Sequence, residues 1–154
     1  MYQKILVPLD GSQLAECVFP HLEALVGGCK VKEVVLVRVA EPFRQPAASE
    51  NILDPEEMVR INEKIRAGAE MYINQAKDKI KLPGIEVKAG VLKGNAAETL
   101  ADYATKNAVD LILIATHGRS GVSRWAWGSV ADRILRSACV PVVMVRAPGC
   151  IPGV

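Results

Sequence analysis

The chain alternates between short apolar runs and longer stretches in which apolar residues recur every three or four positions. The short runs are Lys4 to Leu9, Glu33 to Ala40, Ile85 to Val91, Leu111 to Ala115 and Pro141 to Val145. Each is bounded by turn residues and most are rich in β-branched side chains, so each reads as a strand. The second holds Val34, Val35, Leu36, Val37 and Val39 with little polar interruption. That continuity is expected of a strand buried on both faces. In the third, Ile85 and Val87 alternate with charge.

The longer stretches have helical spacing. Ser12 is a candidate N-cap for a helix whose apolar face is Leu14, Val18, Leu22 and Leu25, stopped by Gly27-Gly28. Asp54-Pro55-Glu56-Glu57 opens a second helix: Asp caps, Pro fits the first turn, and the acids suit the dipole. Met58, Ile61, Ile65, Ala69, Tyr72, Ile73, Ala76 and Ile80 follow on one face, and Pro83-Gly84 ends it. Asn95 and Glu98 form a capping pattern for a third helix, with Ala97, Leu100, Ala101 and Ala104 inward. Ser129 to Arg136 reads as the fourth.

Strands alternating with helices imply a parallel sheet covered on both faces. No fixed repeat or interdomain linker interrupts the order. Residues 1–147 are therefore expected to form one α/β domain, with 148–154 as a loose tail and Glu41 to Asn51 as a mobile loop. In such open sheets ligands bind beyond the carboxyl ends of strands, where strand order reverses. The Asp10 turn and the Gly118 loop both lie at strand carboxyl ends. If the first and fourth strands are neighbours, the two loops face one another across a cleft.

Composition narrows the chemistry. The 154 residues carry a net charge of +2, too small to imply nucleic acid. From Ala115 to Arg146 the charge is +4, against −2 elsewhere, which favours an anionic ligand near that segment or reflects solvated arginine. The four cysteines show no CxxC and no His at metal spacing, and Cys17 and Cys139 read as core residues. No leader-like segment opens the sequence and no apolar run is long enough to span a bilayer. The expectation is a reduced, cytoplasmic protein without a membrane partner.

No Gly-Lys-Ser/Thr triplet and no GxGxxG occurs, so the common phosphate-binding signatures are absent. The distinctive stretches are Val7-Pro8-Leu9-Asp10-Gly11-Ser12, Leu36-Val37-Arg38-Val39, Gly94-Asn95-Ala96-Ala97-Glu98, Thr116-His117-Gly118-Arg119-Ser120-Gly121, Gly128-Ser129-Val130 and Cys139 to Val145. In that order and spacing, from Lys4 to Arg146, the chain resembles the universal stress protein family. The resemblance implies an open, Rossmann-like sheet of five parallel strands in the order 3-2-1-4-5. It also implies ATP, with Mg²⁺, as ligand. The ATP-binding branch is similar to G-x-x-G, nine residues, then G-S or G-T. Here Gly118, Arg119 to Trp127, Gly128 and Ser129 fit that pattern, but Ala115 stands in place of the first glycine. An alanine there is mild at negative φ and harmful where φ must be positive.

By resemblance, Pro8 and Asp10 flank the adenosine, with Asp10 near the ribose or the Mg²⁺. Val39 contacts adenine through its backbone, and Ala115 lines the ribose. Gly118, Arg119, Gly128, Ser129 and Val130 hold the phosphates, largely by backbone N–H groups, and His117 lies in the same loop. Plainer readings stay open. Asp10 can make an Asx turn, Ser129 and Asp132 can form a capping box, and a lone His beside a glycine is usually structural. No convincing base or arginine finger accompanies the loop, so the expectation is a binding protein with at most slow hydrolysis. Family sheets leave the last strand at an edge, and pairing with a second copy would cover Pro141 to Val145, giving a homodimer. The alternative is a module of the same fold that binds no nucleotide and acts through its dimer surface. A nucleotidyl transferase is disfavoured, because neither an HxGH nor an SGGxD signature occurs.

Overall fold

The computed structural model describes residues 2–45, 53–116 and 129–146. The five runs form one parallel sheet: β1 (Lys4–Pro8), β2 (Glu33–Ala40), β3 (Glu86–Lys93), β4 (Leu111–Ala115) and β5 (Val142–Val145). Its order is β3-β2-β1-β4-β5. The chain therefore builds outward from β1 in one direction, returns, and builds outward in the other, so order reverses between β1 and β4. Ile5 stands beside Leu111 and Leu6 beside Ile112 at that seam.

Helices cover both faces. On one side α1 (Phe19–Gly28) and α2 (Pro55–Lys79) pack on Ile5, Val7, Leu36, Leu111 and Leu113 through Leu22, Ile73 and Ala76. On the other, α3 (Ala96–Lys106) and α4 (Ser129–Ser137) pack on Leu6, Val35, Val37, Ile112 and Ile114 through Leu100, Ala104 and Ile134. Alternate residues of one strand thus enter opposite cores, which is why β1, β2 and β4 are apolar almost throughout.

Local chemistry sets the element ends. Asp54 caps α2, its side chain accepting from the Glu56 N–H, and Asn95 caps α3 by accepting from the Glu98 N–H. Gly84 turns at φ +78 between α2 and β3. The region after β1 differs from the expected single helix. Ala15–Val18 is a 3₁₀ turn and the α-helix starts only at Phe19. Pro20 has no N–H to give to Glu16, and the Glu16 carbonyl instead takes the Phe19 N–H. Ser12 still supports the start, its Oγ accepting from the Ala15 N–H at 3.2 Å.

Cys139 corrects an expectation: it is exposed in the α4–β5 connection rather than in the core. Its apolar neighbours along the chain do not bury it, because it falls where the backbone bends between the two elements. Cys17 is half-buried against the α1–α2 core, and burial pushes its thiol pKa up. Among the described residues, no helix is long and apolar enough to cross a membrane, and no group of three His, Cys, Asp or Glu could hold a metal. The expected loose tail lies outside the described residues, as does most of the loop after Glu41.

Candidate functional site

A cleft of about 460 Å³ opens at the carboxyl ends of β1, β2 and β4. That is where strand order reverses, the position at which open α/β sheets bind ligands. Its volume lies within the roughly 300–1,000 Å³ usual for small-molecule sites. Pro8 and Asp10 line it from β1 and its turn, Val39 from β2, Ala115 from β4, and Ser129 and Val130 from the start of α4. Six candidate residues, far apart in sequence, are thus brought together. The remaining four, His117, Gly118, Arg119 and Gly128, lie outside the described residues.

The turn after β1 is ordered from within. Asp10 Oδ1 accepts from the Ser12 N–H at 2.9 Å and from the Ser12 hydroxyl at 2.7 Å. Asp10 therefore makes an Asx turn, as the plainer reading held. Gly11, at the bend, has φ +93, where an L side chain is strained.

The backbone of β2 supplies the second wall. The β1–β2 ladder runs to the Leu9 N–H, which donates to the Val37 carbonyl at 2.8 Å. A strand repeats every two residues, so Val39 points its N–H and C=O to the same side as Val37. β1 has ended at Pro8, and Val39 thus presents peptide groups toward the cleft. Such groups can read a flat, hydrogen-bonding heterocycle. Ile65 and Ala69 of α2 and Leu100 of α3 add apolar surface.

Two helices begin at the cleft, and they differ electrostatically. At α3, Asn95 Oδ1 and Glu41 Oε1 already accept from the Glu98 and Ala96 N–H groups. A carboxylate thus occupies that N-terminus. At α4, Ser129, Val130 and Ala131 face the cleft. An incoming anion gains from the dipole there. Asp132 Oδ2 takes the Arg136 Nε at 3.0 Å, and Arg133 pairs with Glu98 at 3.2 Å. Two of the arginines that gave the Ala115–Arg146 segment its charge are therefore spent on exposed pairs.

Ala115 is 7% exposed at the end of β4, beside Val145. Among the described residues, Ala108 is the one non-glycine with positive φ. The backbone at Ala115 therefore does not require glycine.

Arg38, also lining the cleft, is a residue that strand-level reading passes over. Its signal is a lone charge inside a buried apolar run. Its Cζ lies 5.3 Å from the Tyr72 ring centroid and its Nη1 donates to the Gly68 carbonyl at 3.4 Å.

A sequence model described as the universal stress protein family matches residues 1–146. Universal stress protein MJ0577 of Methanocaldococcus jannaschii is 26% identical over 156 residues, covering 95% of this chain and 96% of that protein. The solved structure of MJ0577 superimposes with a TM-score of 0.78 at 24% identity, covering 97% of this chain and 99% of that one. A universal stress protein solved in complex with cAMP gives a TM-score of 0.62 at 18% identity, covering 94% and 97%. A family member from Arabidopsis thaliana with AMP bound gives 0.58 at 13% identity, covering 96% and 93%. At these identities the structural likenesses speak to the fold alone.

Proposed function

The chain belongs to the universal stress protein family, and from that premise we propose that it is an adenine-nucleotide-binding regulatory protein with ATP, carried with Mg²⁺, as its ligand. One observation carries the reading: the Asp10 turn and the first turn of α4 line a single cleft, with the Val39 peptide groups between them. The cAMP- and AMP-bound relatives lend it support.

In this reading adenine lies against Val39 and Pro8, and the ribose sits between Asp10 and Ala115. The phosphates meet the N–H groups of Ser129 and Val130, with Gly118, Arg119 and Gly128 completing the cradle and His117 in the same loop. The donor set suits the group. Main-chain N–H groups at a helix start favour polyanions, and the Asp10 carboxylate, lining the same cleft from the turn after β1, can meet a phosphate-bound cation. Mg²⁺ would neutralise phosphate charge when bound. Ser129 and Val130 orient the phosphates, while Ile65, Ala69 and Leu100 exclude water from the base. Hydrolysis in this reading is slow at most, because the sequence offers no convincing base and no arginine finger in a recognisable context. ATP acts as a population-shifting ligand, through its preference for one conformation of the protein over another.

The active unit is a cytoplasmic homodimer. β5 is an edge strand with Val143 36% exposed, and antiparallel pairing with a second copy would cover it. Calorimetric titration with ATP and AMP tests the assignment: saturable heat at one site per chain is expected. No heat with either nucleotide refutes it and leaves the nucleotide-free module acting through its dimer surface.

A further inference from the structure

Arg38 reaches from β2 to the Asp10 turn and is held there on three sides. Tyr72 lies beneath it at 5.3 Å, a cation–π distance. The Gly68 carbonyl takes its Nη1. Over Gly11 the guanidinium is so close that a Cβ built on the glycine would fall 2.9 Å from Cζ. Tyr72 also touches the turn directly, its hydroxyl donating to the Ser12 carbonyl at 3.5 Å. Burial, and then the nearby Glu16 carboxylate, raise the Tyr72 pKa, so the hydroxyl stays a donor. Lys79 pairs with Glu16 at 2.7 Å and ties this group to the end of α2.

A three-residue turn with a glycine at its centre has much conformational freedom to lose. Its internal Asp10–Ser12 bonds lock the carboxylate to Ser12, but they do not fix the turn against the sheet. Arg38 and Tyr72 touch it from outside at Gly11 and Ser12. The missing Cβ of Gly11 is therefore needed twice, for the bend and for the guanidinium that lies on it.

We propose that Arg38 and Tyr72 form a clamp that holds the Asp10–Ser12 turn in its ligand-ready conformation, making both of them positioning residues for the cleft. Tyr72 acts from α2 without lining the cleft itself. The clamp's role in binding rests on the nucleotide reading; its effect on the turn does not. A site competent only a fraction of the time binds more weakly by that fraction.

The test uses the full chain and four variants: Arg38→Met, Arg38→Lys, Tyr72→Leu and Tyr72→Phe. Amide hydrogen exchange is followed at Ser12 and Ala15, whose N–H groups are held within the turn, with Leu36 and Leu113 as core controls. ATP affinity is measured by calorimetry. Arg38→Met and Tyr72→Leu are expected to speed exchange at Ser12 and Ala15 selectively and to weaken ATP about five- to thirtyfold. Tyr72→Phe keeps the ring under the cation and stays within about threefold of the parent. Arg38→Lys falls between. Unchanged Ser12 exchange in both Arg38→Met and Tyr72→Leu overturns the clamp. So does ATP affinity within about twofold of a binding parent. Should the parent bind neither ATP nor AMP, the nucleotide reading fails separately, and the exchange rates alone decide the clamp.

Discussion

Ala115→Gly restores the glycine of the ATP-binding pattern that the chain resembles, and under the nucleotide reading the restoration should gain nothing. Ala115 is almost fully buried, belongs to the core on the α1–α2 face, and lacks the positive φ that glycine would relieve. Removing its methyl forfeits about 0.8 kcal/mol of apolar burial. Glycine within a strand costs about 0.5–1 kcal/mol more in backbone entropy. The variant should therefore be about 1–2 kcal/mol less stable, which for a domain of this size lowers Tm by roughly 2–8 °C. Affinity for ATP should stay within about threefold of the parent, because the peptide groups at the strand end do not move. Urea and thermal unfolding measure the first quantity and calorimetry the second. A variant as stable as the parent, or one that binds ATP more than about tenfold tighter, would falsify the reasoning. It would mean that the methyl obstructs the cleft instead of packing the core.

Three further outcomes are expected. Asp10→Ala removes both bonds to Ser12 and should cost about 1–2 kcal/mol in urea unfolding together with most ATP affinity; unchanged binding would remove Asp10 from the site. Asp110 Oδ2 accepts the Gln3 and Lys4 N–H groups at 2.9 Å each, and these bonds hold its pKa below the usual carboxylate value. A depressed folded pKa means stability that is present above the unfolded value near about 3.9 and lost as pH falls through the folded one. Asp110→Asn should flatten that part of the acid limb in urea melts between pH 2 and 5, while a limb identical to the parent's would show the bonds do not matter. Val143→Lys places charge on the exposed edge of β5 and should shift the sedimentation of a dimer toward monomer; a parent that sediments as monomer would sink the assembly proposal outright.

The sequence was most legible where burial was complete. Glu33 to Ala40 was readable to the residue, because a strand covered on both faces shows as an apolar run, here interrupted internally only by Arg38. β3 was harder. Its residues are exposed or half-buried along its length, so Ile85 to Val91 was expected where Glu86–Lys93 forms. The first helix misled for another reason: Leu14 and Val18, four apart, suggest an α face, whereas the buried pair is Ala15 and Val18, three apart as in a 3₁₀ turn, and the effect of Pro20 on Glu16 is a backbone matter. At the cleft, the alternating pattern placed the Asp10 turn at a strand end, while Pro8, Val39 and Ala115 came from the family resemblance. Ile65, Ala69 and Arg38 were not assigned to it, since helix periodicity explains the first two as core and strand continuity hides the third. Cys139 shows the converse, an apolar context along the chain without burial in space.

The cleft draws its wall from residues between Pro8 and Ala131, contributed by three strands and three helices. Among the described residues, the stretch from Pro8 to Glu41 supplies just under half of that lining, and the rest comes from α2, α3, the end of β4 and the start of α4. Occupancy is thus tied to the integrity of the whole sheet: a nucleotide that binds here stabilises the complete fold by an amount that grows with the logarithm of its concentration. Cellular nucleotide supply would then set how long each copy survives unfolding and proteolysis, so that the protein's abundance, and not its shape alone, carries the signal.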